Sequence, residues 1–109
     1  MSDLKAVNID LFRRYLGIIQ SAVLEDNTDK LSDHPRLSLK NLEWMCQTAI
    51  SQSPDMADDK ASRWLGFVQG CLAMRDLINV DEERDITRPM FHSVYKKDGG
   101  LAPGTLSRD

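Results

Sequence analysis

The sequence predicts an all-α fold in which about four helices form a small protomer. Apolar residues recur every three or four positions in separate segments, which is the period of an amphipathic helix, and no segment alternates apolar and polar residues as a half-buried strand does. With 109 residues the chain fits one domain. We expect a single helical domain over residues 1–97 and a disordered tail over residues 98–109, where three glycines and a proline interrupt any period.

The first helix is predicted over residues 8–25. Its apolar stripe comprises Ile9, Phe12, Leu16, Ile19 and Val23. A connection of about a dozen residues follows, because "DNTDKLSDHPRLS" gathers turn-forming residues and Pro35 moves His34 out of helical geometry.

The second helix is predicted over "LKNLEWMCQTAIS", with Ser38 as its N-cap and an end before Pro54. A third helix over residues 56–79 starts near Asp55 or Asp58, since acids suit the positive end of a helix dipole. It is the longest of the predicted helices.

Gly66 and Gly70 lie on nearly one face of the third helix, in line with Ala73 or Met74. An interior glycine costs a helix about 1 kcal/mol relative to alanine, so the pair favours a close approach of two helices. A kink, or simple tolerance of glycine, is the alternative interpretation.

A fourth helix is predicted near residues 82–96, capped by Asn79 or Asp81. Pro89 lies inside it and must either break or bend it, because proline lacks the N–H and clashes with the preceding turn. We expect one helix with a kink at Pro89.

Composition excludes several classes of protein. The formal net charge is -3, no apolar run approaches the ~20 residues of a membrane helix, and the N-terminus lacks the apolar core of a secretory signal. We therefore expect a cytoplasmic protein with no membrane partner.

Cys46 and Cys71 fall in apolar helical patterns and are interpreted as core residues. His34 and His92 have no neighbouring ligand cluster, so we expect neither a metal nor a cofactor.

A basic row marks the fourth helix: Arg84, Arg88, His92 and Lys96 follow one another at intervals of four. Residues four apart are neighbours on a helix surface, so the row could hold an anion. Arginine donates two parallel hydrogen bonds to a phosphate, and histidine adds a donor beside it. The alternative is a solvated face, paired with acids in "DEERD".

A second candidate is Tyr15, which follows Arg13 and Arg14 on the first helix and precedes Lys30 in the connection. Tyr15 lies about 100° away from the apolar stripe, so its ring is predicted to be only partly buried and could stack on a nucleobase. An ordinary tyrosine at the edge of the core, with a hydrated hydroxyl, fits the pattern as well.

The segments "SRWLGFVQG" at 62–70 and "EERDITRPMFH" at 82–92, with Tyr15 and Lys30, resemble the phage anti-CBASS cyclic-nucleotide sponge proteins. The resemblance implies a homohexamer that sequesters cyclic oligonucleotide immune signals, such as cGAMP, in the host cytoplasm. It also implies two kinds of pocket between subunits. Tyr15 and Lys30 would take cyclic dinucleotides, whereas Arg88, His92 and Thr87, beside Arg84, would take cyclic trinucleotides.

The sequence contains no recognisable set of catalytic residues, because no second histidine lies near His92 and no Ser-His-Asp group is credible. We therefore expect a binding protein and not an enzyme. The alternative is a small adaptor or nucleic-acid-binding protein that uses the face of Arg84, Arg88, His92 and Lys96. Net acidity argues against duplex DNA, which is bound by basic surfaces.

Overall fold

Four α-helices build the protein. The structure is a computed structural model that describes residues 3–25, 34–53 and 55–97, without the side chains of residues 25 and 95–97. The helices are α1 (Asp3–Glu25), α2 (Leu39–Ser51), α3 (Asp58–Met74) and α4 (Val80–Lys97), and a single 3-10 turn, Pro35–Leu37, precedes α2. No strand occurs in these ranges, so the predicted all-α class is confirmed. The predicted tail, residues 98–109, lies outside the described residues.

Two helix boundaries differ from the prediction. α1 begins at Asp3, five residues before the predicted start, and α3 ends at Met74, well before residue 79. α1 with 23 residues, and not α3 with 17, is therefore the longest helix described. The early end of α3 comes from Asp76, whose φ of 59° is left-handed and cannot continue a helix.

Local capping agrees with the sequence at two helix starts. The Ser38 hydroxyl accepts a hydrogen bond from the Asn41 amide of α2 at 3.1 Å. The Asn79 side chain accepts one from the Glu82 amide at 3.0 Å and so caps α4. Each cap satisfies one of the amides that a helix start leaves without a partner.

The core forms where α1 packs against the other three helices. Ile9, Phe12 and Ile19 are buried as predicted, Leu16 is half-buried, and Val23 is exposed, which corrects the last position of the stripe.

Cys46 and Cys71 are buried free thiols, which confirms their assignment to the core. Burial raises the pKa of the Cys46 thiol to about 12, so this thiol stays protonated and unreactive at neutral pH.

Gly66 and Gly70 on α3 lie away from the other described helices. Both are exposed, and a Cβ placed on either would meet no atom of the described residues within 4 Å. The predicted close approach of two helices therefore does not occur within the described part of the protomer. Phe67 and Met74 are exposed beside them, so this face of α3 is an outward apolar surface.

α4 is one continuous helix that includes Pro89, so the chain is not broken there. It packs on α1, where the buried Glu83 is hydrogen-bonded to Arg14 and Tyr15. Val94 is also buried, and the half-buried Met90 and Phe91 pack against the core. Among the described helices, none is both long and apolar enough to span a membrane.

Candidate functional site

The basic row lies on α4 as the spacing predicted. Arg84, Arg88 and His92 follow at intervals of four within an uninterrupted helix, so they lie on successive turns. Lys96 continues the same interval, but its side chain lies outside the described residues. Thr87 is half-buried directly beside Arg88.

Arg88 and His92 share an unusual combination of burial and lack of partners. Both are half-buried, and within the described chain neither makes a salt bridge or a side-chain hydrogen bond. The His92 Nε2 atom is shielded from solvent and has no hydrogen-bond partner among the described residues. Shielded polar groups are normally hydrogen-bonded. The half-buried Arg88 can meet an external acceptor directly, whereas the His92 ring must first turn Nε2 outward to reach the same acceptor.

Arg84 differs from its two neighbours in the row. Its guanidinium lies 3.9 Å from Asp81 Oδ1, one turn earlier on the same helix, and its side chain is 37% exposed. This is the intrahelical pairing that the alternative interpretation described. A surface pair of this kind contributes about 0–1 kcal/mol, so Arg84 can still exchange partners.

The second candidate, Tyr15, is enclosed in the core and is not available to a nucleobase. The prediction of a partly buried ring is wrong, because Tyr15 is 0% exposed in the core. Tyr15 donates a hydrogen bond to Glu83 Oε2 at 2.7 Å and accepts one from Gln69 Nε2 at 2.8 Å. Since α4 covers the side of α1 on which Tyr15 lies, no face of the ring is open to a base. Lys30, its proposed partner, lies outside the described residues.

Glu83 lies inward, whereas the alternative interpretation of the basic row placed it on a solvated face. It is 6% exposed and contacts α1. Arg14 Nη2 donates to Glu83 Oε1 at 2.5 Å. Glu83, Thr87, Met90 and Val94 recur at helical spacing on one face of α4, and this period was a signal that could have placed Glu83 inward.

Arg14, Tyr15 and Glu83 form a cluster in which each group shifts the pKa values of the others. Burial by itself raises the pKa of Glu83, but the hydrogen bonds from Arg14 and Tyr15 and the Arg14 charge outweigh burial, so the pKa is lowered. Burial is also the main reason why the pKa of Tyr15 is raised. The hydrogen bond to Glu83 is the main reason why the pKa of Arg14 is raised. The cluster is therefore an ionised anchor between α1 and α4 and contains no group that titrates near neutral pH.

A groove of about 350 Å³ lies over this anchor, between α1 and the start of α4. Arg14 lines it, but so do Asp76, Glu82 and Glu83, which makes its mouth unfavourable for an anion. Arg88 and His92 do not line this groove.

In the described part of the chain, no group of three or more His, Cys, Asp or Glu residues could hold a metal ion. Comparison with protein-family models, with curated proteins and with solved structures found no match for this chain.

Proposed function

We propose that this protein binds and sequesters cyclic oligonucleotides without cleaving them, and that Arg88, His92 and Thr87 on α4 contact the phosphates of a cyclic trinucleotide. The observation that carries the proposal is the unpartnered pair on α4. Arg88 has no ion-pair partner within the described residues, and one turn away the shielded His92 Nε2 has no hydrogen-bond partner. A phosphate provides acceptors for both.

The free energies of binding favour a site that several copies of the chain share. One charge-assisted bond from Arg88 and one neutral bond from His92 contribute about 2 to 4.5 kcal/mol together. Nanomolar sequestration requires about 12 kcal/mol. A single row cannot supply this. Three rows around a three-fold axis, one for each phosphate of a cyclic trinucleotide, contribute about 6 to 13.5 kcal/mol before association costs. They reach the requirement only at the upper end, so enclosure and preorganisation of the site must contribute as well.

The outward face of α3 supports contact between copies. Gly66 and Gly70 each cost the helix about 1 kcal/mol relative to alanine, and no described residue of the protomer fills the space that they leave. Phe67, 37% exposed, lies three residues before Gly70 on the same face. Around a two-fold axis, each Phe67 ring could cover the Gly70 surface of a second copy, a self-complementary arrangement. The hexamer implied by the resemblance would include such a contact.

Cyclic dinucleotides are a weaker part of the proposal. The resemblance assigned their bases to Tyr15, but that ring is enclosed and its hydroxyl is occupied. We therefore assign no described residue to a dinucleotide and keep cGAMP as a ligand to be measured.

Isothermal titration calorimetry with cyclic triadenylate tests the trinucleotide site. We expect Arg88→Ala and His92→Ala to weaken binding at least tenfold, because each removes one phosphate contact from each of three copies, and three such contacts together contribute more than about 1.4 kcal/mol. Arg13→Ala, which removes an exposed arginine from α1, is the matched control and should bind as the wild type does. Equal losses in all three variants would point to a general charge effect and would refute the assignment to α4.

Two further arms of the experiment separate the competing functions. Ligand recovered after denaturation of the complex should be unchanged, and a linear product would make the protein a phosphodiesterase. A short DNA duplex in place of the cyclic ligand tests the adaptor or nucleic-acid alternative. Duplex binding that Arg88→Ala abolishes, without any cyclic-nucleotide binding, would overturn sequestration.

A further inference from the structure

Asn8 is a buried polar residue on α1, and neither the fold nor the proposed function accounts for it. It lies on the core side of α1 and is 3% exposed. Both polar atoms of its side chain, Oδ1 and Nδ2, are shielded from solvent and have no hydrogen-bond partner among the described residues. A buried amide left in this state would destabilise the fold by about 1–3 kcal/mol.

The Asn8 side chain lines a small, partly open cavity between α1 and the chain that joins α2 to α3. The space open to the centre of a water-sized sphere is about 10 Å³, which is about one water molecule. The other lining residues are Lys5, Ile9, Phe12, Ala49, Ser53, Met56 and Ala61. The cavity is therefore far too small for a nucleotide or for any organic ligand.

The polar groups around the cavity match the needs of a water molecule. Buried waters typically make about three hydrogen bonds. Asn8 offers an acceptor and two donors, and Ser53, which carries a hydroxyl, lines the same space. Lys5, another lining residue, donates to the Met56 carbonyl at 2.6 Å and lies 3.0 Å from Asp58 Oδ1.

We propose that the cavity is a binding site for a single structural water molecule, which bridges the Asn8 amide to the Ser53 hydroxyl. The bridge ties the first half of α1 to the connection between α2 and α3, beside the Lys5 contact with Met56. Asn8 is then a structural hydration site, and its polarity is required in an otherwise apolar wall.

The direction in which one substitution shifts the urea midpoint of unfolding distinguishes a hydrated Asn8 from a dry one. Leucine has the same branched shape as asparagine but makes no hydrogen bond. If Asn8 is dry and unpartnered, Asn8→Leu removes an unfavourable group and should raise the urea midpoint of unfolding. If Asn8 holds a water, Asn8→Leu loses the bridge and should lower that midpoint. We expect the lower midpoint. Gln20→Leu, an exposed amide on the same helix, is the matched control and should leave the midpoint unchanged.

Direct observation of the water completes the test and does not depend on a folded variant. A high-resolution crystal structure of the wild-type protein should show an ordered water within hydrogen-bonding distance of the Asn8 amide and the Ser53 hydroxyl. Magnetisation transfer from water to the Asn8 side-chain amide should be seen by NMR in solution. A direct protein partner for Asn8, or no ordered water in the cavity, would overturn the proposal, as would an Asn8→Leu variant at least as stable as the wild type.

Discussion

Replacing Tyr15 with phenylalanine removes one oxygen atom from the point where α1, α3 and α4 meet. The Tyr15 hydroxyl makes two hydrogen bonds: it donates to Glu83 at 2.7 Å and accepts from Gln69 at 2.8 Å. The first involves a charged acceptor and contributes about 1.5–3 kcal/mol, and the second contributes about 0.5–1.5 kcal/mol. Gln69 is only half-buried and can turn to water, so we expect Tyr15→Phe to lower the free energy of unfolding by about 2–3 kcal/mol.

Urea unfolding followed by circular dichroism measures this loss directly. A domain of this kind is stable by about 5–15 kcal/mol, so a loss of this size leaves the variant folded while shifting the midpoint clearly. Ser62→Ala, which removes an exposed hydroxyl from α3, is the matched control and should change stability by less than about 0.5 kcal/mol.

A double-mutant cycle with Glu83→Gln shows whether the loss arises from the pair. We expect the two substitutions to be less than additive, because each removes the same hydrogen bond. A stability loss below about 0.5 kcal/mol for Tyr15→Phe would refute the buried anchor and would return Tyr15 to the surface role that the sequence suggested. Tyr15→Phe should also leave trinucleotide binding unchanged, because the ring is not part of the α4 site.

Three other predictions follow from the fold. Because the pKa of Glu83 is lowered in the folded state, its contribution to stability is present above the unfolded value of about 4.3 and is lost as the pH falls further. Urea midpoints of wild type and Glu83→Gln between about pH 7 and pH 3 should converge at low pH, and parallel curves would contradict the assignment. Ser38→Ala should destabilise the protein by about 1 kcal/mol through loss of the α2 cap, in the same assay. Phe67→Asp should weaken self-association in sedimentation analysis without lowering the urea midpoint of the protomer; unchanged association would remove the α3 face from the proposed interface.

The helices and their caps were predictable because they depend on neighbours in the chain. Ser38 caps α2 through an amide three residues away, and the apolar period of α2 needs no partner to be recognised. The row of Arg84, Arg88 and His92 was predictable for the same reason, since its geometry follows from the interval of four along one helix.

The partners in long-range contacts were not predictable in this way. The Tyr15 ring and the Glu83 carboxylate are 68 residues apart in the chain. The helical period of α4 could have placed Glu83 inward, but nothing near either residue identifies the other as its partner. Only the packing of α4 on α1 brings them together and buries both. The same applies to Gly66 and Gly70, whose spacing favoured helix contact but whose face points away from the protomer.

The sequence by itself therefore determined the helical class, the capping of α2 and the order of basic groups along α4, because these are set by interactions within a few residues. The tertiary structure decided which of those groups remain available to a ligand. Availability depends on what other helices cover: α4 seals Tyr15 into the core, while Arg88 and His92 lie in the same helix without a partner among the described residues.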